Sequence, residues 1–214
     1  MTAVTYRMLD LFCGLGGASQ AMVDHKDWQV ERIDNNPLLL EHVPDMTLMS
    51  IEEIHENLSV YAGNVGPYNL IWASPPCVNF SDACDAPMSK FKRENPGEEY
   101  KPDMTLVKMT LEIIEALKPR AWIIENVRGS VPYFTPLMGV PKVKIGPYYL
   151  YGNFPLFNAQ LEEGYSKAKN DKTSSHPLRA NYRAFVPKEI SEAARQSIQY
   201  QTKLDNYRMN IDTN

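Results

Sequence analysis

The sequence lacks the features of secreted, membrane-spanning and metal-stabilised proteins. Its 214 residues include only three cysteines, which cannot build a disulfide framework and so favour a reducing compartment. No apolar run approaches the roughly 18 residues of a membrane span, and the first residues do not have the pattern of a signal peptide. No Cys-x-x-Cys pair or Cys/His cluster indicates a metal site. The length instead predicts one globular domain with at most a small appendage.

Positive charges are slightly fewer than negative charges, and they are unevenly distributed. The formal net charge is −4, which taken alone argues against a nucleic-acid partner. Residues 1–117 contain 8 Lys and Arg against 18 Asp and Glu, whereas residues 118–188 contain 11 against 4. The second stretch therefore predicts one basic face, although chance segregation of charges would give the same counts.

The spacing of apolar residues predicts an α/β fold. Apolar runs that stop at glycine, proline or polar residues predict strands, and runs with helical spacing predict helices. The predicted strands are 6–12, 28–33, 68–73 and 121–124, and the predicted helices are 18–25, 51–58 and 102–117. Strands that alternate with helices give a doubly wound, mostly parallel sheet.

The composition of the sequence changes after residue 128. Residues 129–183 are rich in Gly, Pro, Lys, Ser and aromatic residues, which predicts a loop-rich, extended appendage with one strand at 148–151. A helix is predicted from Lys188 to Arg195, with a proline just before it, and the polar residues at the end are expected to fray.

A glycine-rich turn follows the first predicted strand, in the sequence DLFCGLGG from Asp10 to Gly17. Glycines allow the backbone to approach a ligand closely, and Asp34, at the end of the next strand, has the spacing of a residue that binds ribose hydroxyls. The pattern predicts a nucleoside site, with a plain structural turn as the alternative. The spacing is neither that of the dinucleotide fingerprint nor that of a phosphate loop.

A second motif, Ser74-Pro75-Pro76-Cys77, follows the buried strand 68–73. Two prolines fix the loop and hold the Cys77 side chain in one direction, which suits a nucleophile if the thiol ionises. A buried, unreactive cysteine is the alternative, and we interpret Cys13 and Cys84 in that way.

A third motif, Glu125-Asn126-Val127, follows the strand 121–124. A carboxyl group that emerges from an apolar strand has a raised pKa and suits a proton donor near neutrality, whereas a solvated strand-end Glu is the alternative. Because parallel strands end at the same edge of a sheet, the three motifs are predicted to share one crevice.

In order and spacing, these motifs resemble the signatures of the cytosine-C5 DNA methyltransferase family. DLFCGLGG is similar to its cofactor motif, SPPC with Phe80-Ser81 to its nucleophile motif, and ENV to its third signature. The resemblance covers about residues 7–128. Asp45-Met46-Thr47 resembles the family's acidic turn beside the adenine, and residues 183–198 resemble its terminal helix more loosely.

The resemblance implies a Rossmann-like fold, S-adenosylmethionine as the cofactor and no metal. It implies that the Cys77 thiolate adds to C6 of a cytosine flipped out of the duplex, while Glu125 hydrogen-bonds N3 and the exocyclic amine. The catalytic residues that we predict are Cys77, Glu125, Asn126 and Arg183. The cofactor residues that it implies are Asp10, Phe12, Gly14, Gly16, Gly17, Asp34, Asp45, Pro75 and Leu106.

The chain departs from the family in several places. The Gln-x-Arg-x-Arg strand, whose arginine binds the cytosine carbonyl, is missing, and Arg183 and Arg179 are the nearest substitutes. Val78 stands where the family commonly has Gln, and the Gly-Asn signature of the terminal helix is absent. Only about fifty residues, 130–180, replace a long target-recognition region, which predicts short or relaxed sequence specificity.

The basic part of the chain is predicted to contact phosphates of double-stranded DNA. The lysines of this part are Lys142, Lys144, Lys167, Lys169 and Lys172. The DNA contacts that we predict are Ser81, Arg128, Lys142, Lys144 and Arg179.

We expect a cofactor-binding and catalytic core at 1–128, a DNA-contact region at 129–183, and a terminal helix with a polar tail at 184–214. The leading hypothesis is a monomeric DNA (cytosine-5)-methyltransferase, compact as in viruses or mobile elements, in the cytoplasm of a bacterial or phage-infected cell. One alternative is the same chemistry on RNA, since the resemblance extends to a tRNA-acting branch. The other is a catalytically silent S-adenosylmethionine-binding partner, which intact Cys77 and Glu125 disfavour.

Overall fold

A computed structural model describes residues 6–83, 86–167, 171–173 and 175–212. Cys84 and Lys169, for which the sequence predicts packing and phosphate contact, lie outside the described residues. Within them, seven strands form one sheet in the order β3-β2-β1-β4-β5-β7-β6. The strands are β1 (Tyr6–Leu11), β2 (Trp28–Asp34), β3 (Met46–Leu48), β4 (Leu70–Ala73), β5 (Ala121–Asn126), β6 (Val143–Ile145) and β7 (Tyr148–Asn153).

The sheet is mostly parallel and doubly wound, as predicted. The pairs β1–β2, β2–β3, β1–β4 and β4–β5 are parallel, and β7 is antiparallel to both β5 and β6. The chain first builds the sheet outward from β1 to β3 and then returns to β4 on the other side of β1. This reversal opens a crevice beyond the carboxyl ends of β1 and β4, which is where open α/β sheets bind their ligands.

Helices cover both faces of the sheet and bury its alternating apolar side chains. Within β1, Met8 shares a buried cluster with Met22 and Ile190, whereas Leu9 shares one with Ile51 and Ile113 on the opposite face. The helices are α1 (Gln20–Val23), α2 (Ile51–Glu56), α3 (Leu58–Asn64), α4 (Pro87–Glu94), α5 (Thr105–Leu117), α6 (Val131–Met138), α7 (Arg179–Ala184) and α8 (Lys188–Asp212). No helix in the described part of the chain is both long and apolar enough to cross a membrane.

Two elements differ from the sequence-based expectation. The sheet continues past residue 128, because β7 is buried over Tyr148–Tyr151 and pairs with β5, while β6 pairs with β7. The helix predicted to end at Arg195 continues through the polar tail to Asp212. A stripe of buried residues at four-residue spacing holds α8 against the core, and it consists of Ile190, Ala194, Ile198 and Thr202.

Candidate active site

The carboxyl ends of four parallel strands meet at one edge of the sheet. Leu11 of β1 pairs with Ala73 of β4, which in turn pairs with Ile124 of β5, and β2 is in register with β1 on the other side. The residues one position beyond this level are Phe12, Asp34, Ser74 and Glu125. The three predicted motifs therefore start from one line across the sheet.

The glycine-rich turn is tied to the end of β2 through Asp34. Phe12, Gly14 and Gly16 have φ angles of 57°, 53° and 75°, a left-handed conformation that glycine adopts readily and that phenylalanine adopts only with strain. The Gly14 N–H donates a hydrogen bond to Asp34 Oδ2 at 3.0 Å, and the Asn36 N–H donates to Oδ1 at 3.0 Å. Asp34 therefore fixes the turn that presents the Phe12 ring.

A pocket lies between this turn, the end of β3 and α5. It contains the predicted cofactor residues Phe12, Asp34 and Leu106, together with Pro76 of the loop after β4. Its remaining lining residues are Ile33, Asn35, Met49, Ser50, Ile51 and Glu52. An apolar face opposite a carboxylate, at a strand edge, suits the adenosine part of a nucleoside ligand.

Asp45 does not line this pocket. It precedes β3, whereas the pocket lies beyond the carboxyl end of that strand. Its carboxylate instead forms an ion pair with the buried Arg32 at 3.3 Å. Arg32 also donates hydrogen bonds to Ser19 Oγ at 2.9 Å and to the Gly16 carbonyl at 3.3 Å, so it supports the glycine turn from below.

Gly17 marks a close approach between the glycine turn and the terminal part of the chain. A Cβ atom at this position would collide with the backbone of Val186, just before α8. The contact explains why the turn needs glycine here and how residues 185–187 close over the start of α1.

Asp10 lies at the end of β1 and is fully buried. Neither carboxylate oxygen has a hydrogen-bond partner among the described residues. Burial raises the pKa of this carboxyl group to about 7, and the Ser19 hydroxyl and the nearby Arg32 guanidinium partly oppose the rise. The glycine turn therefore lies above a buried acid that keeps its proton through the acidic pH range.

We expect the raised pKa of Asp10 to make folding stability depend on pH. Between about pH 4 and 7 the unfolded chain releases this proton and the folded chain keeps it, so the free energy of unfolding falls with rising pH, by at most about 1.4 kcal/mol per unit. Asp10→Asn removes this dependence. In urea unfolding, the stability of the variant relative to the wild type should therefore increase from pH 4 to pH 7.

The control is Asp24→Asn. The pKa of this exposed carboxyl group is lowered by its hydrogen bond from Lys188, so its stability contribution is present above its usual pKa and lost as the pH falls below it. Its stability difference from the wild type should stay constant from pH 5 to 7. A constant difference for Asp10→Asn over the same range would show that Asp10 ionises normally.

The loop that carries Cys77 is held by the strand next to it. Asn126 Nδ2 donates a hydrogen bond to the buried Pro75 carbonyl at 3.0 Å, while its Oδ1 accepts from the Val127 N–H at 2.9 Å. Asn126, predicted as catalytic, is used in this structure to position the loop. Its amide is not free to contact a substrate without releasing Pro75.

Gly129 is a second fixed point of this loop. A Cβ atom on Gly129 would collide with the Phe80 carbonyl, at the end of the 3-10 helix Val78–Phe80 that follows Cys77. Close backbone contact therefore fixes the distance between the nucleophile loop and the segment after β5.

We expect Gly129→Ala to lower the free energy of unfolding by about 1–3 kcal/mol, the usual cost of overpacking. The control is Gly63→Ala in α3, where an added Cβ meets open space and alanine favours the helix by about 0.5–1 kcal/mol. Urea unfolding of the two variants measures the difference. Equal stabilities would contradict the close approach at Gly129.

Cys77 and Glu125 are electrostatically coupled at the sheet edge. Burial raises the pKa of the Cys77 thiol, and the negative charge of Glu125 raises it further, whereas Lys167 and Arg183 lower it. Burial also raises the pKa of Glu125, against the effect of Lys167, whose Nζ lies 3.6 Å from Glu125 Oε1. The structure thus brings a thiol, a carboxyl group and a lysine together.

The predicted DNA-contact residues have different local environments. Arg179 binds Asp171 with two hydrogen bonds of 2.7 and 2.8 Å, and Arg183 binds the same carboxylate at 3.2 Å. Lys142 lies over the ring of Phe154. Lys144 lies over the ring of Tyr149, Arg128 is exposed, and the Ser81 hydroxyl accepts a hydrogen bond from the Ala83 N–H.

The sequence did not indicate that Arg32 and Gly129 shape the site, or that Lys167 lies beside Glu125. Gly129 carries a usable signal, since a glycine directly after a strand-end motif indicates close backbone contact. Arg32 and Lys167 carry none, because their roles depend on which loops pack together.

A model of the C-5 cytosine-specific DNA methylase family matches residues 6–132, more than half of the chain. The chain belongs to this family. The match confirms the resemblance that the motifs predicted, and it starts and ends within a few residues of it. No curated protein sequence matches the chain.

Several solved structures are similar to this methylase-family chain. One is described as a DNA modification methyltransferase encoded within an E. coli prophage, with 18% identity over 70% of this chain and 47% of that one, and a TM-score of 0.45. Another is the Entamoeba histolytica methyltransferase EhMeth, with 16% identity, coverages of 80% and 61%, and a TM-score of 0.46. The chain thus spans less than two thirds of the length of either.

A third similar structure is the plantazolicin methyltransferase BamL in complex with a triazolic desmethylPZN analogue and SAH. It has 13% identity, coverages of 92% and 55%, and a TM-score of 0.37. The family assignment rests on the sequence match over residues 6–132 and not on these structures.

Proposed function

We propose that this chain is a DNA (cytosine-5)-methyltransferase that uses S-adenosylmethionine. The observation that carries the proposal is the placement of Cys77 and Glu125 on adjacent strand ends, with Asn126 bridging their loops, in a chain of the C-5 cytosine-specific methylase family. A thiol beside a buried carboxyl group suits conjugate addition to a pyrimidine ring followed by proton donation to that ring.

The residues at the glycine turn fit the cofactor. Phe12 and Leu106 give an apolar face for the adenine, and Asp34 gives a carboxylate for the ribose hydroxyls. The buried Asp10 carboxyl group lies below the turn, and it complements the cationic methionine part when it ionises above its raised pKa of about 7. Gly14 and Gly16 hold the turn that presents Phe12, Gly17 packs on Val186, and Pro75 holds the Cys77 loop. None of these roles needs Asp45. When bound, S-adenosylmethionine supplies the methyl group as an electrophile.

The protein side chains prepare the cytosine for methylation. The Cys77 thiolate forms a bond to C6, and Glu125 donates a proton to N3, so that the electron pair of the C5–C6 double bond becomes available at C5. After C5 is methylated, a base removes the C5 proton, the C6–S bond breaks to restore the double bond, and N3 returns its proton to Glu125. Every group of the protein is then regenerated.

The basic stretch supports duplex DNA as the substrate. We propose that residues 1–128 supply the cofactor and catalytic loops. Residues 129–183 form β6 and β7 and supply the DNA contacts. The helix α8 packs on the core. The short region for target recognition supports short or relaxed specificity, and we propose that the chain acts as a monomer. Membership of a DNA methylase family favours DNA over RNA.

The deciding experiment incubates the purified chain with methyl-labelled S-adenosylmethionine and either duplex DNA or tRNA. We expect label in DNA, at C5 of cytosine after nuclease digestion. Label in tRNA alone would replace the proposal by RNA methylation, and label in neither would contradict catalysis. Bisulfite sequencing of DNA from expressing cells tests specificity, and methylation confined to one long motif would contradict relaxed recognition.

A further inference from the structure

Lys167 lies in the interior of the proposed site, although sequence reasoning assigned it to the phosphate-binding surface. Its ammonium is 3.6 Å from Glu125 Oε1 and 4.3 Å from the centre of the Tyr148 ring. The Lys167 side chain is only 17% exposed, and that of Glu125 only 7%. A lysine this buried contributes little to a surface contact with phosphates.

A tyrosine pair holds the segment that carries Lys167. Tyr148 donates its hydroxyl proton to the Phe185 carbonyl at 2.7 Å, so the 2.6 Å hydrogen bond between the Tyr148 and Tyr165 hydroxyls has Tyr165 as its donor. Tyr148 starts β7, the neighbour of β5. The Tyr148 hydroxyl therefore holds Tyr165, two residues before Lys167, and the Phe185 carbonyl, just before α8. The Tyr148 ring also contacts the Lys167 ammonium.

We propose that Lys167 is a catalytic residue, which binds the carbonyl oxygen of the target cytosine while Glu125 binds N3; this inference rests on the proposed function. The Watson–Crick edge of cytosine presents the O2 carbonyl, N3 and the N4 amino group in a row. A lysine ammonium only donates hydrogen bonds, so of the two groups beside N3 it can bind only O2.

Arg183 is the competing cation, because sequence reasoning placed it in this role. Its side chain is 40% exposed and forms an ion pair with Asp171, whereas Lys167 contacts Glu125 directly. Both cations lower the pKa of the Cys77 thiol, and Lys167 does so more strongly. Lys167 therefore also favours the thiolate that attacks C6.

Three variants separate these roles in the full chain. Lys167→Met keeps the packing on Tyr148 without the charge, Lys167→Arg keeps the charge, and Arg183→Met removes the competitor. The control is Lys26→Met, an exposed lysine in the turn before β2. We expect Lys167→Met to lower kcat/KM on duplex DNA by about 10- to 100-fold, the loss of one charged hydrogen bond, and Lys167→Arg to recover most of this loss.

A second measurement needs no DNA. Iodoacetamide labelling of Cys77, followed by peptide mass spectrometry over a range of pH, reports its thiolate fraction. The groups that act on this thiol are Glu125, Lys167 and Arg183. Loss of the lysine charge should slow labelling at pH 7.5 by roughly threefold or more and shift the profile to higher pH.

The outcomes distinguish this inference from the proposed function. If the wild type methylates DNA but Lys167→Met and Lys26→Met have equal kcat/KM, Lys167 does not bind the base. A larger loss for Arg183→Met than for Lys167→Met would assign the carbonyl to Arg183. If the wild type does not methylate DNA, the proposed function itself fails, whatever the labelling profile shows.

Discussion

Replacement of Cys77 by serine is expected to lower the rate of methyl transfer to DNA by about 10³-fold or more, because a serine hydroxyl is a far weaker nucleophile than a thiolate at neutral pH. The fold should be retained, since one sulfur atom is exchanged for oxygen in a loop that the Asn126 side chain and the close backbone contact at Gly129 hold in place. The rate is measured with labelled S-adenosylmethionine on duplex DNA, and the fold with urea unfolding.

The covalent step can be trapped separately. Fluorine at C5 of the target cytosine blocks the final elimination, so the wild type should form a complex with 5-fluorocytosine DNA that survives denaturation. Cys77→Ser should form none. Cys13→Ser is the control, because Cys13 is buried and burial raises the pKa of its thiol far above its ordinary value, so this variant should still be trapped. Adduct formation by Cys77→Ser would refute the assigned nucleophile.

The parts of the site that the sequence predicts are those that depend on one strand and the residues directly after it. Apolar runs that end at Gly14, Pro75 and Glu125 place three motifs at the ends of parallel strands, and parallel register then brings them to one edge. No long-range information is needed, because the direction of each strand already decides where its end lies.

The parts that the sequence does not predict depend on packing between distant segments. Asp45 has the acidic character of a cofactor contact, but it precedes β3 and pairs with Arg32 on the neighbouring strand β2. Lys167 has the character of a surface cation, but the ring of Tyr148 and the carboxyl group of Glu125 hold it inside. In both cases the residue type indicates what the side chain can bind, whereas its position in the site depends on tertiary contacts.

Replacement of Glu125 by glutamine is expected to lower kcat by about 10²- to 10⁴-fold, which is the usual contribution of a positioned proton donor. Glutamine retains the size of the side chain and can still hydrogen-bond the base, but it cannot transfer a proton to N3. Glu115→Gln, which changes an exposed carboxyl group of α5, is the control and should leave the rate unchanged.

The pH profile of kcat/KM distinguishes proton donation from simple binding of the base. The active form needs Cys77 ionised and Glu125 protonated, so the wild-type rate should rise with pH as the thiol ionises and fall as the carboxyl group loses its proton, at pKa values that belong to the coupled pair. Burial raises the pKa of Glu125 and so extends its protonated form toward neutral pH.

In Glu125→Gln the alkaline decrease should disappear. Because burial keeps the pKa of the Cys77 thiol raised, the rate of this variant should instead continue to rise with pH until the thiol ionises. A bell-shaped profile retained in Glu125→Gln would show that another group donates the proton.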